Sequence, residues 1–159
     1  MKVLIVSDTH GRDENLEIVI NREAPFDMLV HCGDVEGREF YIEALAECPC
    51  SIVSGNNDFF SDLPREEEFW IGEYHILITH GHYYGVSVGT ERLKEEAMLR
   101  GIDIVMYGHT HRPEIDMEDQ VTVLNPGSLS YPRQIGRRPS FLMMEIDGAG
   151  EAHYTIHYL

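Results

Sequence analysis

The chain has 159 residues, 43% hydrophobic and 25% charged; this is the size of one folding domain, read as 1–159, and excludes a disordered or fibrous protein. Twelve basic residues against 28 acidic ones leave a formal charge of −16, which argues against a protein built to grip long nucleic acid or an anionic membrane surface. No apolar run approaches the ~20 residues of a bilayer span, residues 1–6 are too short for a signal peptide, and the three cysteines read as reduced thiols, so the expected compartment is the cytoplasm.

Residues 2–6 are an apolar run suited to a strand buried on both faces. Residues 13–23 place Leu16, Val19 and Ile20 at helical spacing, Ala24-Pro25 ends that helix, and 26–30 read as a second strand. A second helix is predicted over 37–47, with Phe40, Ala44 and Leu45 on one face, followed by a short strand at 51–54. Residues 68–71 and 74–79 flank Gly72-Glu73 as a hairpin, and 90–100 form the last helix, stopped by Gly101. The remaining strands are predicted at 102–107, 113–116, 120–124, 141–147 and 152–158, the last two joined by a turn at Gly148-Ala149-Gly150. Early strand–helix–strand units followed by hairpins predict an α/β protein with mixed sheets and helices outside.

Five of the predicted strands run into a short loop rich in His, Asp or Asn: Asp8-Thr9-His10, Gly33-Asp34, Gly55-Asn56-Asn57-Asp58, His80-Gly81-His82 and Gly108-His109-Thr110-His111. In α/β sheets ligands bind outside the carboxyl ends of the strands. Imidazole mixed with carboxylate suits Mn, Fe, Co, Ni or Zn, whereas Mg and Ca prefer oxygen-only sites. In Asp8-x-His10 and His109-x-His111, side chains two apart on an extended segment project to the same side. Each motif alone is weak; five in this order, each after a strand, point to a divalent-metal site.

These motifs, with Asn125-Pro126-Gly127-Ser128 and the short length, resemble the calcineurin-like metallophosphoesterases, specifically their small single-domain prokaryotic phosphodiesterases. The resemblance implies a four-layer α/β/β/α sandwich of two mixed sheets. It implies two divalent ions per chain, manganese first and nickel, iron, cobalt or zinc as alternatives. Asp8, His10 and His111 would hold one ion, Asn56, His80 and His109 the other, and Asp34 would bridge them. Metals sharing a hydroxide would then clamp an in-line displacement at phosphorus. Asp34, Asn56 and His82 form the expected catalytic set, and Asn57 and Arg133 are expected to contact substrate. Many relatives carry His where this chain has Asn57, and an amide cannot give up a proton near neutral pH.

Among the remaining candidates, His31 reads as a hydrogen-bonded structural residue. Asp58 is either an orienting group for the Asn56 loop or a turn-stabilising Asp, and Arg12 joins Arg133 as a candidate phosphate contact. Ser128 has no base at motif spacing and is rejected as a nucleophile. The expected partner is a small phosphodiester, with no membrane and no long nucleic acid, and the resemblance allows a homodimer. The alternatives are a protein-interaction scaffold of the same fold, like the retromer subunit, and a phosphomonoesterase; a DNA nuclease ranks low for lack of a basic face.

Overall fold

The computed structural model describes residues 1–118 and 120–159. Ten strands form two five-stranded mixed sheets. The first has the order β10-β9-β1-β2-β3, with β1 (Lys2–Val6), β2 (Met28–His31), β3 (Cys50–Ile52), β9 (Ser140–Ile146) and β10 (Ala152–Tyr158). The second has the order β4-β5-β6-β8-β7, with β4 (Glu66–Ile71), β5 (Tyr74–Thr79), β6 (Ile104–Met106), β7 (Pro113–Asp116) and β8 (Thr122–Pro126). The helices are α1 (Glu14–Glu23), α2 (Glu39–Ala46) and α3 (Glu91–Arg100).

The period-two alternation of side chains sorts each strand between two environments. Val3 and Ile5 of β1, Ile76 and Ile78 of β5, and Leu142 and Met144 of β9 meet in a core between the sheets. Their neighbours Leu4, Val6, Phe141 and Met143 face α1 and α2 through Leu16, Val19 and Ile42. On the far side Leu77, Val105 and Val123 face α3 through Leu93 and Ala97. Three cores between four layers give the α/β/β/α sandwich, and each fully buried Leu or Ile in them contributes ~1.5–3 kcal/mol.

The predicted elements are all present, with shifted ends. Of the face predicted for α2, Leu45 packs against the core but Phe40 is 79% exposed, and Ile42 is the fully buried residue. Arg38 pairs with Asp13 at 2.5 Å and the Tyr41 hydroxyl donates to Glu17, which fixes the rotation of α2 against α1 and turns Ile42 inward. The strand expected at 120–124 lies instead at Thr122–Pro126. Its Pro126 pairs with Pro113 of edge strand β7 and lies past the last β6 partner, where a missing N–H costs no ladder bond. A turn of 3₁₀ helix at His82–Tyr84 had no signal in the pattern.

Candidate metal centre

The five loops converge at the carboxyl ends of β1, β2, β3, β5 and β6. Asp8, His10, Asp34, His109 and His111 all adopt positive φ, between 49° and 69°. Left-handed backbone at non-glycine residues costs roughly 1–3 kcal/mol each and clusters at functional sites. Close approach is built in as well. A Cβ on Gly55 would lie 2.1 Å from Asp34 Oδ1, and one on Gly108 would lie 2.1 Å from Ser7 Oγ and 2.8 Å from Asp8 Oδ2. Only glycine lets these loops pack against the two carboxylates.

The ring nitrogens carry the chemical information. His80 Nδ1 donates to the Cys32 carbonyl at 2.7 Å, His111 Nδ1 to the Tyr131 carbonyl at 2.7 Å, and His10 Nδ1 to Glu36 Oε1 at 2.8 Å. Each acceptor can only accept, so the neutral tautomer of each ring leaves its Nε2 lone pair pointing into the centre. These lone pairs face one another and the carboxylates. His10 Nε2 is 3.4 Å from His111 Nε2, and His111 Nε2 is 3.0 Å from Asp8 Oδ1. Asp8 is fully buried, yet its Oδ1 accepts no hydrogen bond. An orphaned carboxylate oxygen ringed by lone pairs is what a bound cation would satisfy, so the donor set fits a divalent ion.

Asp8, His10 and His111 offer ligand atoms within 4.8 Å of one another, and so do Asp8, Asp34 and His80. Asn56 Oδ1 lies 3.1 Å from His80 Nε2 and 2.9 Å from His109 Nδ1, which brings the second expected trio together. Asp34 Oδ2 sits between the trios, 3.7 Å from His10 Nε2 and 3.4 Å from His80 Nε2. Burial pushes the Asp34 carboxyl up, but His80 and the Asn57 donors outweigh it and hold it well below the ordinary range. Burial likewise opposes ionisation of Asp8, and the neighbouring His80 and His111, with the Ser7 hydroxyl, still hold it low. Burial opposes charging of His80 too, yet the neighbouring Asp34 and Asp8 raise its pKa.

His82 lies beside the second trio, its ring 5.4 Å from that of His80 and 6.0 Å from that of His109. Its Nδ1 is buried without a partner, and burial with the neighbouring His80 and His109 charges lowers its pKa. Arg133 is exposed at the edge of a cleft that His10 and His111 also line. The Asn57 side-chain amide donates to Asp34 Oδ2 at 2.8 Å. Arg12 stacks over Tyr131 at 4.8 Å.

Several residues around the ligands brace their loops. The Ser128 hydroxyl donates to the Asp8 carbonyl, and Asn125 donates to the Gly108 carbonyl and Thr110 Oγ1. The Asn-Pro-Gly-Ser turn therefore braces the first and last ligand loops. Asp58 accepts from the backbone N–H of Asp34, Gly55 and Glu36, tying the second loop to the third. His31 accepts from Gly33 N–H and donates to Thr9, joining the first loop to the second.

Residues 1–149 match the sequence pattern of the calcineurin-like phosphoesterase superfamily domain. A probable metallophosphoesterase of Bacillus subtilis is 34% identical, over 92% of this chain and 85% of that protein. A phosphodiesterase of Methanocaldococcus jannaschii is 32% identical, over 80% and 83% respectively. The crystal structure of Entamoeba histolytica Vps29 complexed with zinc superposes with a TM-score of 0.79, covering 99% of both chains at 23% identity. Among the described residues no helix is long and apolar enough to cross a membrane.

Proposed function

The chain belongs to the calcineurin-like phosphoesterase superfamily, and we propose that it is a two-metal phosphodiesterase acting on small diesters. One observation carries this reading: Asp34 Oδ2 lies within 3.7 Å of Nε2 of both His10 and His80, between two ligand trios. A carboxylate between the two trios would offset the mutual repulsion of two cations. Asp8, His10 and His111 would hold one ion and Asn56, His80 and His109 the other. When bound, such a pair of dications, with manganese the first candidate, supplies charge neutralisation and Lewis acidity for attack of water on phosphorus.

The remaining work falls to the chain itself. The Cys32 and Tyr131 carbonyls and Glu36 hold three imidazoles in ligand orientation. Asn57 fixes the bridging carboxylate. Arg133, at the rim of the His10–His111 cleft, orients the substrate phosphate. His82, whose pKa is lowered by burial and by the neighbouring His80 and His109, stands beside Asn56 as a hydrogen-bond partner for the leaving group. Diesters are favoured over monoesters by the related phosphodiesterase of Methanocaldococcus jannaschii.

The test is turnover by metal-free protein reconstituted with Mn, Ni, Zn or Mg, on bis(p-nitrophenyl) phosphate and p-nitrophenyl phosphate. Manganese-dependent release from the diester in excess of the monoester is expected. Metal binding without turnover of either would overturn the reading in favour of a protein-interaction scaffold, and monoester preference would overturn the diester assignment.

A further inference from the structure

In a chain with 28 carboxylates, basic side chains without an acidic partner are informative. Lys2, Arg22, Arg38, Lys94 and Arg100 all form ion pairs. Among the described residues the other seven basic residues form none, and three of these seven, Arg112, Arg133 and Arg137, line cavities beside the His111 loop. Arg133 and Arg137 line a cleft of about 550 Å³ together with His10 and His111. Arg112 and Arg133 line a second cavity of about 630 Å³, together with Thr110, Ser87 and Thr90. Arg133 is common to both.

The two cavities therefore meet beside the ligand loop. Arg112 follows His111 directly, and the Arg133 N–H donates to the His111 carbonyl at 3.0 Å. Glu91 and Glu114 also line the larger cavity, but Glu114 takes the Tyr107 hydroxyl and so is turned to a protein partner. The cavity thus offers two guanidinium forks and several hydroxyls, a donor set that matches phosphate oxygens.

We propose that this second cavity is a subsite for a further phosphate, so that the enzyme prefers diesters whose one arm itself carries a phosphate monoester. This rests on the phosphodiesterase reading and names the substrate class within it. With the scissile phosphate at His10 and His111, the second phosphate lies against Arg112 and Arg133. A diester with neutral arms gains nothing from this cavity.

The experiment compares two substrates that both release p-nitrophenol from manganese-loaded protein: thymidine 5′-(p-nitrophenyl phosphate) with and without a 3′-phosphate. The 3′-phosphate should raise kcat/KM about tenfold in wild type, mainly through KM, as charge-assisted hydrogen bonds at an exposed site allow. Arg112→Gln should bring that ratio close to one, whereas the charge-matched Arg92→Gln should keep it. Calorimetric titration of the same loaded protein with thymidine 3′,5′-bisphosphate and thymidine 5′-monophosphate gives a readout independent of turnover. The bisphosphate should bind about tenfold tighter in wild type and lose that advantage in Arg112→Gln. Hydrolysis of both substrates at one rate, or a ratio unmoved by Arg112→Gln, overturns the subsite. Hydrolysis of neither, with the binding difference intact, overturns the phosphodiesterase reading and keeps the subsite.

Discussion

Asn57 donates to both oxygens of Asp34, its backbone N–H to Oδ1 at 2.9 Å and its side-chain amide to Oδ2 at 2.8 Å. The pair fixes the carboxylate in rotation as well as position, which matters for a group whose Oδ2 is expected to lie between two cations. Asn57→Ala keeps the first bond and removes the second. Removing such a supporting contact typically weakens metal affinity ~10–100-fold. Calorimetric titration with manganese should show weaker binding in Asn57→Ala, and Asn57→Asp should be worse, because a second carboxylate would face Asp34. Wild-type affinity in Asn57→Ala would show that Asp34 needs no such support.

Gly55 is the point of closest approach to Asp34, so Gly55→Ala should push the third loop away from the second. A clash of a β-carbon with packed backbone and carboxylate costs ~1–3 kcal/mol. The variant should unfold at lower urea concentration and bind metal more weakly, while Gly148→Ala, at a turn with open space around it, should match wild type in both. Unchanged metal binding in Gly55→Ala would mean the loops have slack.

His31 is fully buried, satisfied as a neutral imidazole by Thr9 and Gly33, and burial lowers its pKa to about 4. Between pH 6.5 and 4 the unfolded imidazole binds a proton that the folded one refuses, so its contribution is complete above 6.5 and is lost as pH falls. Over that window the loss is about 3 kcal/mol. His80 has a raised pKa and acts with the opposite sign, losing stability as pH rises. Urea unfolding of metal-free wild type and His31→Asn isolates the His31 share: the variant should be less stable at pH 7 and show a flatter decline toward pH 4.5. Parallel declines would contradict a neutral buried His31.

The charge of −16 sets substrate size. A long polyanion is repelled by most of the surface, while a small diester only has to enter the cleft beside Arg133. At ~150 mM salt, where the Debye length is ~8 Å, cleavage of duplex DNA should be negligible beside hydrolysis of small diesters. Efficient DNA degradation under those conditions would contradict the charge argument.

Most of this architecture was legible in the sequence because strand ends and ligand residues share one signal, an apolar run ending in a short Gly-His-Asp loop. Asp8, His10, His109 and His111 could be named from spacing and order alone. The role of Asn57 could not, since the direction of an amide in a loop depends on how Gly55 lets that loop approach Asp34. Nor could the inward face of α2, where Phe40 and Ile42 lie on competing apolar stripes and contacts from Arg38 and Tyr41 decide between them. His31, Asn125 and Ser128 join loops far apart in the chain, a relation that only the assembled sheets create.

The central claim is a two-ion centre bridged by Asp34, and counting ions tests it most directly. Protein loaded with manganese, desalted and analysed for metal content should hold two ions per chain, falling to about one in His111→Ala, with both weakened together in Asp34→Asn. A wild-type content of one ion or none, or equal loss of both ions in the two variants, would contradict the account.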